Sequence, residues 1–259
     1  MLNLKRRHFL ALTGGALSMP SFAIAQADTR PEITIAVQKL VTSNTLDPLA
    51  EQSNVGERIL NSYVELLIGR DLQGKLEPMP RLATGWTRID DSTVEVTLRQ
   101  GVKFHNGDEL TAEDVAFTFS AERAFGDTTP AGWDKTIEMD AKRIVQKNKE
   151  LPAKVPGVAR RLWPSLVKVE VTGKYTCRFI NATPDVTLEG RLSGMGSQII
   201  NRRAYEEADS WLDYARAPVG TGPYKVRSFT PDTELVFEAH DDYWGGRPPI
   251  KTIRFVQVP

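Results

Sequence analysis

The sequence predicts a mixed α/β fold, because stretches of alternating apolar and polar residues, the mark of half-buried strands, are interleaved with stretches whose apolar residues recur at helical spacing. Two bulk observations agree. The 259 residues are 41% hydrophobic and 25% charged, the composition of an ordinary folded protein long enough for about two domains. A single cysteine, Cys177, excludes an intramolecular disulfide framework, and three histidines leave too little material for a His/Cys metal cage. Lys plus Arg and Asp plus Glu both number 33, so net charge supplies no attraction to nucleic acid.

The N-terminal 27 residues read as an export address. Lys5, Arg6 and Arg7 form a charged head, residues 9–25 are apolar, and Ala23, Ala25 and Ala27 provide small residues for cleavage. Gly14, Gly15, Ser18 and Pro20 make the apolar run too weak to be a good bilayer span. Arg6-Arg7-His8-Phe9-Leu10 resembles a twin-arginine signal, although Ala11 stands where that pattern usually has lysine. If the mature chain starts at Asp28, losing those three cations from the 33 leaves 30 basic against 33 acidic residues, a net −3. His105 and His240 are then its only histidines.

Residues 32–41 alternate through Ile33, Ile35 and Val37 and predict a first strand. The polar stretch up to Asp47-Pro48 then leaves the sheet as an irregular loop. Ile59, Leu60, Tyr63, Leu66 and Leu67 fall at helical spacing, predicting a helix that ends near Gly69. Gly74, Pro78, Pro80 and Gly85 mark a turn and an extended connection. Val94, Val96 and Leu98 form a strand, and Asn106-Gly107-Asp108 a turn. Thr111 is a good N-cap with Asp114 three residues on, and Ala112, Val115, Ala116 and Phe119 mark the buried stripe of a helix running to about Phe125.

Residues 126–164 are the least regular, with seven basic against two acidic residues from 139 to 164, which reads as a solvated face. Val167, Val169 and Val171, a turn at Gly173-Lys174, then Tyr175, Cys177 and Phe179 predict a hairpin that places Cys177 on an apolar face as a structural thiol. A second hairpin turns at Thr230-Pro231-Asp232, and Ile253, Phe255, Val256 and Val258 predict a last strand.

Catalytic signatures are missing from this pattern. Gly194-Met195-Gly196-Ser197 lacks the nucleophile elbow of a serine hydrolase and has no nearby histidine. Asp90-Asp91, Glu113-Asp114 and Asp241-Asp242 sit at turns or helix starts, where capping explains them. Gly220-Thr221-Gly222-Pro223-Tyr224 leads into a strand and is no phosphate cradle, since Pro223 removes a donor and no helix follows. His105 reads as a packing histidine. Of the five tryptophans, most are expected in packing roles and one or two at a ligand pocket.

Several stretches taken together resemble the solute-binding proteins of bacterial peptide and nickel ABC importers, solute-binding family 5. They are Thr45-Leu46-Asp47-Pro48, Leu82-Ala83-Thr84-Gly85-Trp86, the run from Leu98 through Phe104-His105-Asn106-Gly107, Leu110-Thr111-Ala112-Glu113-Asp114-Val115, Gly220-Thr221-Gly222-Pro223-Tyr224, and Tyr243-Trp244-Gly245-Gly246. The resemblance implies a periplasmic-binding-protein-like first lobe with a smaller inserted α/β subdomain, the second lobe being absent. Residues 1–27 would be the signal peptide, 28–56 a first-lobe sheet segment, 57–182 the inserted subdomain and 183–259 the return to the first lobe. The function implied is a periplasmic receptor, monomeric and free of cofactor, metal and catalysis, that delivers a peptide-like solute to inner-membrane permease subunits. Family members continue well beyond this length, so the chain is expected to be an N-terminal portion. Gln38, Val41, Thr42, Ser43 and Asn44, after the first strand, and Gly194, Met195, Gly196 and Ser197 are the expected ligand contacts, both segments being polar or glycine-rich loops. The competing readings are a partner-binding or chaperone-like module and an exported hydrolase.

The leader yields a test. Replacing Arg6 and Arg7 by Lys should block twin-arginine export, leaving precursor in the cytoplasm on a fractionation blot; normal secretion would exclude that route.

Overall fold

The computed structural model describes residues 28–125 and 151–259. The leader and the basic residues Lys142, Arg143, Lys147 and Lys149 lie outside that range, as does Trp133. The described part is mixed α/β, built on two four-stranded sheets.

The first sheet joins the two ends of the described chain. β1 (Glu32–Val37) pairs in parallel with β12 (Thr252–Gln257), which continues antiparallel into β11 (Glu234–Ala239) and β10 (Tyr224–Thr230). The β10–β11 hairpin turns where Asp232 takes φ 57°. β1 is shorter than the alternation suggested: Leu40 and Val41 leave the strand and bury in the core beneath the sheet, while Ile35 remains 37% exposed. Helix α1 (Asn54–Tyr63) covers that core with Ile59, Leu60 and Tyr63, and its first turn is capped by Ser53, whose hydroxyl accepts from the Gly56 amide at 3.0 Å.

The chain does not continue as helix to Gly69. After Tyr63 it forms β2 (Glu65–Leu66), paired with β9 (Gln198–Ile199), then β3 (Ile68–Arg70), paired with β4 (Pro78–Pro80). Leu66 and Leu67 satisfy a helical spacing by coincidence, and long-range pairing overrides it.

The second sheet has the order β5 (Ala83–Arg88), β6 (Thr93–Leu98), β8 (Thr176–Asn181) and β7 (Leu166–Gly173), all antiparallel. Cys177 faces Val96 and Val171 across this sheet and is fully buried, and burial pushes its thiol up to about 12. Helix α2 (Ala112–Thr118) starts at the expected capping pair: the Asp114 carboxylate accepts from Thr111 N at 3.0 Å and Thr111 Oγ1 at 3.1 Å. It stops earlier than Phe125. Thr118 turns its hydroxyl to the Asp114 carbonyl and accepts from Ile200 N, and Ser120 restarts the chain as α3 (Ala121–Phe125) by accepting from Arg123 N. Helices α4 (Lys154–Leu162), α5 (Leu188–Leu192), α6 (Arg202–Glu207) and α7 (Trp211–Arg216) complete the described elements.

Two cores result. One lies under the first sheet and takes Ile59, Leu60 and Tyr63 from α1 and Val64 just after it; the other gathers the second sheet, α2, α3, α4 and also Leu188, Ile199, Tyr205 and Tyr214. The chain passes between the two cores more than once: Leu46 packs in the first, Leu49 and Ala50 in the second, Ile59 to Val64 in the first again, and Leu188, Ile199, Tyr205 and Tyr214 in the second.

Three polar knots join them. The buried ion pair of Asp47 and Arg123, 2.5 Å apart, ties the loop before α1 to α3, while the other Asp47 oxygen caps Leu49 N and Ala50 N. Glu65 draws in side chains from three distant segments, Arg81, Thr221 and the Tyr243-Trp244 pair. Third, His105 and His240, one from each side of the junction, meet edge to face with centroids 5.1 Å apart. His105 Nδ1 accepts from Gly220 N at 3.3 Å, so Nε2 carries the proton and donates to the Gly222 carbonyl at 3.0 Å; His240 Nδ1 reaches the same carbonyl at 3.3 Å. Gly222 itself lies so close to α1 that a Cβ would sit 2.7 Å from the Tyr63 carbonyl carbon.

Burial, with Lys225 and the second ring adding repulsion, lowers His105 from 6.5 to about 3. The neutral ring is thus the folded form: its contribution is complete above pH 6.5 and is lost as pH falls from 6.5 toward 3, by at most about 1.4 kcal/mol per unit. Urea titrations across that window should show stability falling with acid, and His105→Gln should flatten the profile; an unaltered slope would remove His105 as its source.

Candidate functional site

The two loop segments singled out in the sequence approach the same short stretch, residues 49–53, from different sides. In the first loop Gln38 and Asn44 are exposed, Asn44 in the left-handed region at φ 56°, whereas the Val41 side chain belongs to the core. Thr42 and Ser43 turn amides and hydroxyls toward the Glu51 carboxylate, at 2.7–3.0 Å. Sequence reasoning missed Glu51, because its partners lie on both sides of it at irregular spacing and none is charged.

The second segment, between α5 and β9, divides in two. Gly194 and Met195 line a groove of about 290 Å³ together with Glu57, Asn61, Arg70 and Leu72. Arg70 is held at its rim by hydrogen bonds to Ser193 Oγ at 2.8 Å and to the Gly190 carbonyl at 3.1 Å. Gly196 and Ser197 point into packing instead. The Ser197 hydroxyl is fully buried, accepting from Trp163 Nε1 at 3.2 Å and donating to the Arg191 carbonyl at 3.0 Å. Gly196 has φ 90°, and a Cβ there would lie 2.5 Å from Leu162 Cδ1 and 3.0 Å from Gln52 Nε2. The structure thus assembles Thr42 and Ser43 with Glu51, Gly196 with Gln52, and Gly194 and Met195 with the exposed face of α1, which carries Glu57 and Asn61.

Beneath this surface lies Glu65, a second carboxylate the sequence did not flag. Its oxygens accept from Tyr243 OH and Trp244 Nε1 at 2.8 Å, from Thr221 Oγ1 at 3.0 Å, and face Arg81 Nε at 3.3 Å. Burial raises its pKa and these donors oppose the rise. Arg99 stacks over the Trp244 ring at 4.4 Å. Three of the sequence motifs, at 82–86, 220–224 and 243–246, are brought together or flanked by this one group.

A second concavity, about 440 Å³, lies elsewhere, between Asp108, Glu113, Asn201, Arg202, Arg203 and Glu206. Both of its arginines are already paired, Arg202 with Glu113 at 2.9 Å and Glu206 at 2.8 Å and Arg203 with Asp108 at 3.0 Å and Glu207 at 2.8 Å, so we place the candidate site at the groove beside Met195. Among the described residues no group of three or more metal-ligating side chains is found, and the Cys177 thiol is too buried and too weakly acidic to act as a nucleophile. The groove's lining, with Glu57, Asn61, Arg70 and Ser193 beside Leu72 and Met195, supplies hydrogen-bonding and apolar groups that can bind and orient a solute.

Comparison with known proteins gives a consistent picture. The family model "Bacterial extracellular solute-binding proteins, family 5 Middle" matches residues 77–259. Heme-binding protein A of Haemophilus influenzae is 29% identical over 217 residues, covering 78% of this chain and 35% of that protein. The dipeptide-binding protein of Escherichia coli K12 is 27% identical over 221 residues, with the same 78% and 35% coverage. Among solved structures, MoaA of A. tumefaciens R10 in complex with mannopinic acid superposes with a TM-score of 0.70 at 21% identity, over 88% of this chain and 41% of MoaA. The chain therefore spans roughly a third of the length of the two curated relatives.

Gly196→Ala should lower stability by about 1–3 kcal/mol, since alanine is strained at this φ and its methyl group displaces Leu162. Urea unfolding would measure it, and an unchanged midpoint would contradict the packing of this segment against Gln52.

Proposed function

Since the chain belongs to the bacterial extracellular solute-binding proteins of family 5, we propose that it serves as a periplasmic receptor that captures a peptide or similar small solute and delivers it to the permease subunits of an ABC importer. Proteins of this family are binding receptors, not enzymes, and they work with ABC importers on peptides or other small solutes. The observation that carries the reading is the family match over residues 77–259. The groove beside Gly194 and Met195 supports it, as a concave surface of about 290 Å³ with both polar and apolar walls suited to part of such a ligand. On this reading Gln38 and Asn44, on the loop held by Thr42 and Ser43, and the groove beside Gly194 and Met195 form the first-lobe side of the cleft, and a second lobe would close over it by hinge motion. Export through the twin-arginine signal, action as a monomer, and an inserted subdomain between two first-lobe segments belong to the same proposal.

A second reading, a partner-binding module, draws on the exposed Leu72, Leu76 and Met79 in and around the β3–β4 hairpin, at 81%, 59% and 43% exposure. One experiment separates the two. Calorimetric titration of the exported protein with a defined mixture of natural di- and tripeptides should give saturable binding at one site per chain. Absence of heat with these peptides, together with binding of an unfolded protein substrate, would favour the partner-binding module.

A further inference from the structure

The geometry points to Glu51 as the positioning residue of the 38–44 loop, its carboxylate taking up the hydrogen-bonding groups of Thr42 and Ser43 so that Gln38 and Asn44 are left as the side chains that meet the solute. The inference rests on the receptor reading above for the role of the loop.

Glu51 is fully buried, yet six donors converge on it. Oε2 accepts from Thr42 N at 2.8 Å and from Ser43 N and Ser43 Oγ at 2.7 Å; Oε1 accepts from Thr42 Oγ1 at 3.0 Å, Ser53 N at 3.2 Å and the Ser53 hydroxyl. None of the six is a cation, so the charge is held by amide and hydroxyl dipoles alone. Burial by itself would raise the pKa, but these donors outweigh it and hold the carboxyl below its ordinary value. A neutral carboxylic acid or an amide in its place would confront donor with donor in at least part of this nest.

Two consequences follow for the binding surface. The Thr42 and Ser43 hydroxyls are already committed, Ser43 also reaching the Thr45 carbonyl and hydroxyl, while Gln38, Lys39 and Asn44 are exposed and none of them bonds Glu51; of these the amide side chains of Gln38 and Asn44 offer both donor and acceptor to a solute. Ser53, the third partner, is also the N-cap of α1, whose Glu57 and Asn61 line the groove beside Met195. Glu51 therefore fixes the loop relative to the helix that forms the groove wall, so that the order of both is set before a solute arrives, which reduces the entropy cost of binding.

The test compares the wild-type chain with Glu51→Gln, Glu51→Ala, Gln38→Ala and Asn44→Ala, using hydrogen exchange resolved to peptides and titration with the same di- and tripeptide mixture. In Glu51→Gln the 38–44 segment should lose protection while the β10–β11 hairpin keeps its own, and peptide affinity should fall by about tenfold or more. Gln38→Ala and Asn44→Ala should weaken binding without altering exchange at 42–43. In Glu51→Ala, millimolar acetate should restore protection at 42–43, a response that a general loss of packing would not give. Unchanged exchange in both Glu51 variants, or loss spread evenly through the sheet, would overturn the positioning role. If wild type binds no peptide, the receptor reading fails on its own, and the exchange and acetate results still decide the role of Glu51.

Discussion

Glu65 is a carboxylate that has been taken out of water, and the junction between the two cores is organised around satisfying it. An isolated buried charge is prohibitively unfavourable, so the chain must bring donors to it. It does so from Arg81, Thr221, Tyr243 and Trp244, residues far apart in sequence that come from three different connections. That requirement accounts for the local shape of each segment. The helix before it has to end at Tyr63 so that Glu65 can turn inward, the Gly-Thr-Gly-Pro run has to pass close over the helix end to deliver Thr221, and the Tyr-Trp pair has to fold back from the end of β11.

The same logic recurs at Asp47 and Glu51, with different partners. Asp47 is matched by a guanidinium and two backbone amides, an arrangement that fixes geometry more than it adds net stability, because desolvating both ions offsets much of their attraction. Glu51 is matched by neutral donors only. Three buried carboxylates between residues 47 and 65 thus anchor the polypeptide on either side of α1, and the groove beside that helix inherits their rigidity. For the proposed receptor role this matters, since affinity depends on how little must be ordered when the solute binds.

The sequence reading succeeded where the signal is local. The Thr111–Asp114 capping pair, the Asn106-Gly107-Asp108 turn, both hairpins and the burial of Cys177 each depend on residues within a few positions of one another. It failed where a distant partner decides. The helical spacing of Leu66 and Leu67 gave way to strand pairing with residues 198 and 199, and the helix expected to reach Phe125 was interrupted because Thr118 also serves Ile200. In the two segments proposed to meet the solute, the family resemblance and loop composition could not tell that Val41 and Ser197 face the interior.

By itself, then, the sequence determined the α/β class, the order of most elements and the motifs that mark the family, because periodicity, turn chemistry and capping act over a few residues. Which polar side chains remain available to a solute was decided only by the tertiary structure. Thr42, Ser43 and Asn44 are adjacent and polar, yet the first two spend amide and hydroxyl on the buried Glu51 carboxylate, whereas none of its six donors comes from the exposed Asn44. A buried charge must collect its donors from wherever the fold places them, and that placement is written in no single stretch of the chain.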